Sequence, residues 1–199
     1  MAKKEFTGVK INTPECVLLY PAVFEAKFND LKGKDEWAVT MLFDKANSDM
    51  NAVKAAMIQA AKNEFGADVD LKTLDMKRIQ DGDAVTSTGR ERHEACKGMW
   101  VVKAATRLNA PGVVDAKVQK ILDPSEIYSG VHAVVNVTAK AYAQPSRGVT
   151  FYLNHVQKVK DGDPLTGGAP AEDVFAALEI DETETSETVD TDGMDGMFS

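Results

Sequence analysis

Residues 131–142 read VHAVVNVTAKAY, and their alternation decides the architecture. Val131, Ala133, Val135, Val137, Ala139 and Ala141 make an unbroken apolar face. His132, Asn136, Thr138, Lys140 and Tyr142 make the other, interrupted only by Val134. Successive side chains of a strand point to opposite sides. A period of two held this long therefore predicts a strand with one face in a core and one toward water.

The segments on either side repeat the signal. Residues 149–159 (VTFYLNHVQKV) predict a strand after the loop QPSRG. Residues 99–108 (MWVVKAATRL) predict another, with Trp100, Val102, Ala104 and Thr106 alternating with Val101, Lys103, Ala105 and Arg107. A turn at residues 109–112 leads to a returning strand over 113–121, broken by Asp123 and Pro124. Toward the N-terminus, residues 16–28 (CVLLYPAVFEAKF) predict a strand in which Pro21 marks a bend, bulge or edge. A turn around Gly33 connects it to residues 37–43 (WAVTMLF) as a hairpin. There Trp37, Val39, Met41 and Phe43 share one face and Ala38, Thr40 and Leu42 the other.

One long helix is predicted over residues 48–65, with Ser48 as N-cap, Asp49 in the first turn and Gly66 as its stop. Met50, Val53, Met57, Ala60, Ala61 and either Glu64 or Phe65 make its packing side. Residues 68–97 lack strong periodicity and read as an exposed insertion. It carries a short helical piece at 71–78, an Asp81-Gly82-Asp83 turn and a Thr/Gly/Arg-rich loop. A last short helix is expected near 171–178. No strand–helix–strand alternation occurs, which excludes a doubly wound sheet. The expected fold is mainly β: an antiparallel Greek-key barrel with one principal helix.

Charge divides the chain in two. Residues 172–199 hold ten carboxylates and no Lys, Arg or His, against a net charge of −8 for the whole protein, leaving +2 for residues 1–171. Like-charge repulsion and few apolar groups predict disorder in the acidic segment. Met194, Met197 and Phe198 nevertheless put apolar groups near its end. Two readings stand open: a solubilising tail, or a tail whose tip docks on a partner. The expected domains are residues 1–171 and the tail 172–199. No apolar run reaches 18 residues, and MAKKEFTGVK lacks the apolar core of a signal peptide, so cytoplasmic residence is expected. Cys16 and Cys96 are expected to be reduced and structural.

The chain carries no P-loop and no G-x-S-x-G elbow. His93 and Cys96 lack a second ligand pair for zinc. His155 reads as a sheet residue rather than a base. The Asp-Gly-Asp pairs at 81–83 and 161–163 read as turns before they read as magnesium ligands. Neither an enzyme nor a cofactor is expected. What the sequence does offer is cations beside aromatic rings on open strand faces. Lys140 and Tyr142 lie two residues apart, with Arg147 and Tyr152 following; Lys103 and Arg107 share a face; Lys32 and Lys34 flank a turn. Cations neutralise phosphates and rings stack on bases, which together suit a single-stranded nucleic acid. A tethered polyanion would compete with that backbone at high effective concentration.

The order and spacing of several motifs resemble the OB-fold single-stranded DNA-binding proteins of tailed phages. They are MWVVKAATR (99–107), APGVV (110–114), IYSG (127–130), the strand 131–142, RGV (147–149), LNHVQ (153–157), KDGDPL (160–165) and the acidic tail ending in an aromatic. The resemblance covers about the C-terminal half of the body plus the tail. It implies an OB-fold core, a groove for single-stranded DNA, and replication and recombination enzymes as partners. Residues it would place in or beside the groove are Lys103, Arg107, Lys140, Tyr142, Arg147 and Tyr152. Lys32, Lys34, Trp37 and Trp100 join them as further candidates, each tryptophan fitting a core role equally well. In the tail, Asp190, Asp192, Asp195 and Phe198 are the expected partner contacts. The family ends on Phe itself, whereas Ser199 follows Phe198 here, which weakens a pocket that reads ring and carboxylate together. The competing expectations are a scaffold barrel that docks a basic partner through its tail, and a magnesium nuclease built on the Asp-Gly-Asp turns.

Overall fold

The computed structural model describes residues 6–30, 32–86 and 88–166. The strands are β1 (Val9–Asn12), β2 (Cys16–Asn29), β3 (Lys34–Asp44), β4 (Ile79–Asp81), β5 (Met99–Thr106), β6 (Gly112–Val114), β7 (His132–Tyr142) and β8 (Gly148–Lys160). The one α-helix among the described residues, α1, spans Asn51–Phe65.

Strand β7 is the hinge of the architecture, as its alternation requires. It pairs with β1, β2 and β8. Its apolar face (Ala133, Val135, Val137, Ala139, Ala141) is buried throughout, with Val131 just before it. Burying each valine removes enough apolar surface from water to contribute about 1.5–3 kcal/mol. From β7 the pairing runs through β2, β3, β5 and β8 and back to β7, closing a five-stranded OB-like barrel. Short strands flank it: β1 on β7, β4 on β5, and β6 on β8.

The expected antiparallel Greek key holds around most of the ring. The closure is parallel: β5 runs alongside β8, Ala104 facing Phe151 and Ala105 facing Tyr152. Inside the ring, Leu18, Val39, Met41, Phe43, Val102, Phe151 and Leu153 meet the β7 face and the buried side of α1. A smaller apolar cluster of Leu19, Leu42, Cys96 and Val101 lies apart from it. Both cysteines are free and buried, and Cys16 donates its thiol to the carbonyl of Ala133 at 3.3 Å.

Pro21 sits at a register shift between Leu19 and Ala22, with Tyr20 at φ 50°. Proline has no N–H for the ladder, so the strand bulges there. The backbone N–H of Tyr20 is satisfied instead by Ser129 Oγ at 3.0 Å.

Three sequence expectations need correction. Helix α1 begins at Asn51 rather than after a Ser48 cap. Ser48 belongs to a turn, its N–H bonded to the Asp44 carbonyl at 2.9 Å, while the Asp49 carboxylate accepts from the Asn51 N–H. The helical piece expected at 71–78 shrinks to one 3-10 turn, Leu71–Thr73, capped by Asp70. The returning strand over 113–121 reduces to β6, because the Asp115 carboxylate accepts from the N–H groups of both Lys117 and Gln119 and turns the chain at once. The helix expected near 171–178 and the acidic segment 172–199 lie outside the described residues.

Candidate nucleic-acid interface

Alternation sends one face of β3, β5, β8 and β7 inward and leaves the other face outward. On that outer side the register aligns a single row: Ala38 faces Ala105, Ala105 faces Tyr152, and Tyr152 faces Thr138. Tyr152 thus stands between side chains too small to cover it and remains 39% exposed. At about 3.3 Å per residue the next outward positions lie about 6.6 Å along each strand. Those positions are Lys103 and Arg107 on either side of Ala105, and Lys140 beyond Thr138.

A groove of about 1110 Å³ runs over this face. Six of the sequence candidates line it: Lys32, Lys103, Arg107, Lys140, Tyr142 and Tyr152. Lys10, Arg78 and Arg92 line it as well, giving seven cations against one carboxylate, Glu36, among the described residues. Phe6 contributes a second exposed ring, with Lys140 Nζ 5.9 Å from its centre.

Glu36 is only 3% exposed and organises one end of the groove. Its carboxylate accepts hydrogen bonds from Lys32 Nζ and Asn29 Nδ2, both at 2.6 Å. Lys103 and Arg107 approach it less closely, at 3.8 and 3.7 Å. Burial alone would raise its pKa, but the bonds from Lys32 and Asn29 and the charges of Lys32 and Lys103 hold it below the ordinary 4.5. A carboxylate whose folded pKa is depressed stabilises the fold above its unfolded pKa. That stability is lost as the pH falls through the folded value. Glu36→Gln should therefore lower stability by about 1–2 kcal/mol at pH 7, a gap that closes below pH 4.5; urea unfolding at both pH values checks it. A gap unchanged at low pH would contradict this assignment.

At the opposite end, Tyr142 is locked in place. Its hydroxyl donates to Asp75 Oδ2 at 3.0 Å and accepts from Arg78 Nη2 at 3.3 Å. Arg78 Nε also donates to the Val149 carbonyl. A Cβ on Gly148 would stand 2.6 Å from the Tyr142 hydroxyl and 2.8 Å from the Asp75 carbonyl, so this corner closes only around glycine. On the floor, Asn154 Nδ2 donates to Asn136 Oδ1 and Thr138 Oγ1, and Arg92 donates to Gln80 Oε1. These polar groups are satisfied by one another.

Four candidates stand outside the groove. Trp37 and Trp100 share strand faces with inward residues and pack against the main core. Lys45 and Lys54 lie over the Trp100 ring at 5.1 and 5.8 Å. Lys34 starts β3 opposite Asn29. Arg147 stacks on Phe65 at the end of α1, at 4.2 Å. Tail residues Asp190, Asp192, Asp195 and Phe198 lie outside the described residues.

Sequence reasoning missed Phe6, Lys10, Arg78 and Arg92. The signal for the first two was present, an aromatic and a cation four residues apart near the N-terminus. Arg78 and Arg92 fall in the segment read as an insertion.

Of the Asp-Gly-Asp turns, Asp81 and Asp83 both bind Lys45, and Asp161 binds Lys158 and the Tyr128 hydroxyl. Among the described residues no group of three or more His, Cys, Asp or Glu converges as a metal site would require. No described helix is long and apolar enough to cross a membrane.

A family model described as the ssDNA-binding protein of Enterobacter phage Enc34 matches residues 9–188. The single-stranded DNA-binding protein of bacteriophage Enc34, solved in complex with ssDNA, superposes with a TM-score of 0.61 at 23% identity, covering 82% of this chain and 96% of that one. The same phage's protein in a further structure gives a TM-score of 0.59 at 22% identity, covering 87% and 97%. Bacteriophage T7 gp2.5, a single-stranded DNA binding protein, gives 0.56 at 14% identity, covering 91% and 100%. At these identities the structural likeness speaks for the fold. No curated protein sequence matches the chain.

Proposed function

Because the chain belongs to the family of the Enterobacter phage Enc34 ssDNA-binding protein, we propose that it coats single-stranded DNA without sequence preference through the groove over β3, β5, β8 and β7. The observation that carries this reading is the Ala38–Ala105–Tyr152–Thr138 row, an uncovered ring flanked by Lys103, Arg107 and Lys140. A base stacks on Tyr152 while the flanking cations take its phosphates. The amides of Asn154 and Asn136 are engaged with each other and with Thr138, so neither is free to read a base edge, which favours binding without sequence preference. Tyr142, Phe6, Lys10, Arg78 and Arg92 extend the track, Lys32 stays paired with Glu36 beside it, and no chemistry on the DNA is required. In this reading Trp37, Trp100, Lys34 and Arg147 support the fold and its rim.

The natural setting is the replication, recombination or repair of phage DNA in the host cytoplasm, where single strands arise. Residues 1–171 form the binding domain. Residues 172–199 are a tethered competitor whose ten carboxylates imitate the phosphate backbone. DNA displaces this segment, and the freed Asp190, Asp192, Asp195 and Phe198 recruit replication or recombination proteins.

Deleting residues 172–199 should tighten binding to oligo-dT about three- to tenfold at 50 mM salt, with the gain shrinking as salt rises. Fluorescence anisotropy with labelled oligo-dT measures it. A truncated chain that binds no better than the full one would end the competition reading and leave the groove reading standing.

A further inference from the structure

Among the described residues Glu36 is the one acidic residue lining a groove otherwise suited to a polyanion, and it repels the ligand the groove is proposed to take. It is also almost wholly buried, which an idle carboxylate avoids. We propose that Glu36 is a built-in counter-anion that sets how many of the groove's cations a DNA backbone can use. The inference rests on the reading of the groove given under Proposed function.

The distances sort its three cations into two kinds. Lys32 is bound at 2.6 Å in a charge-assisted hydrogen bond, and its charge is spent on Glu36. Lys103 and Arg107, at 3.8 and 3.7 Å, are beyond hydrogen-bond length and 56% and 44% exposed. They are steered toward the groove by the carboxylate yet free to turn to a phosphate. Glu36 therefore does two things at once. It holds three mutually repelling cations in one place in the empty groove, and it keeps one of them out of the count when DNA binds. Asn29, donating to the other carboxylate oxygen, fixes the orientation that makes this division.

The number of phosphates a protein neutralises is read directly from the salt dependence of binding. Each contact to a single strand contributes about −0.7 to the slope of log K against log salt. Glu36→Gln keeps the shape, retains the Asn29 contact and releases Lys32. It should steepen the slope by about 0.7 and tighten oligo-dT binding about two- to fivefold at 50 mM salt. The double variant Lys32→Met/Glu36→Gln removes the pair together, which leaves no buried charge unpaired. It should show the wild-type slope, whereas Lys140→Met, which removes a cation with no tie to Glu36, should flatten the slope by about 0.7.

Thermal unfolding of each variant confirms that the compared proteins are folded. The inference is overturned if Glu36→Gln binds with an unchanged or flatter slope, or if the double variant flattens it as much as Lys140→Met. A wild-type chain that fails to bind oligo-dT at low salt would instead remove the groove reading itself, and this inference with it.

Discussion

Tyr152→Ala is expected to weaken binding of oligo-dT by about five- to 150-fold, while the unfolding midpoint stays near that of the wild type. The size follows from stacking, which contributes about 1–3 kcal/mol per base at an aromatic platform. The fold is spared because Tyr152 stands on the outside of the barrel, flanked by Ala105 and Thr138, with its inward neighbours Phe151 and Leu153 supplying the core. Exposed substitutions of this kind change stability by about 0.5 kcal/mol or less. Tyr152→Phe should recover most of the affinity, since the ring rather than the hydroxyl meets the base. A Tyr152→Ala chain that binds as tightly as the wild type would remove Tyr152 from the centre of the interface.

The triple variant Lys103→Gln, Arg107→Gln, Lys140→Gln should weaken binding at 50 mM salt on the order of ten- to a hundredfold and flatten the salt slope by about two. All three cations stand within one outward position of the Tyr152 row, so each reaches the backbone of a strand whose base lies on that ring. Glu36 keeps its 2.6 Å bonds from Lys32 and Asn29, so the buried carboxylate is not orphaned by the change. The two predictions separate the two sources of affinity. Tyr152→Ala should lower affinity with little change in slope, because stacking releases no counterions. The triple variant should change both. A triple variant with the wild-type slope would mean that the phosphates lie elsewhere on the protein.

Much of the barrel is legible from alternation alone. Strand β7 has a period of two with one break, so its core face follows residue by residue, and β3 and β5 follow in the same way. The parallel closure of β5 on β8 has no local signature. It joins Ala105 to Tyr152 across a hairpin, a 3-10 turn and all of β7, and only the tertiary fold selects it. The start of α1 is misplaced by the sequence, which takes Ser48 as the cap; Asp44 instead engages the N–H of Ala46 and the amide of Asn47 in a turn, and the helix begins at Asn51.

The site divides along the same line. Lys103, Lys140, Tyr142 and Tyr152 were legible because they lie on the polar faces of long strands. For Trp37 and Trp100 the sequence leaves stacking and core roles open, and the fold packs both against the main core. Lys10, Arg78 and Arg92 enter the groove only because β1 pairs with β7 and β4 with β5, and pairings of such short strands are not encoded nearby. Glu36 was the least legible of all. Between Asp35 and Trp37 it reads as an ordinary residue near a turn, and its burial exists only once Asn29, Lys32, Lys103 and Arg107 converge on it.

A salt titration of oligo-dT binding by the intact wild-type chain tests the groove most directly. Among the described residues seven cations line the groove and one is spent on Glu36, which predicts binding at 50 mM salt with a slope of log K against log salt no steeper than about −4, made shallower by the competing tail. Affinity should fall on the order of ten- to a hundredfold by 200 mM salt. No binding at 50 mM, or an affinity indifferent to salt, would contradict the account.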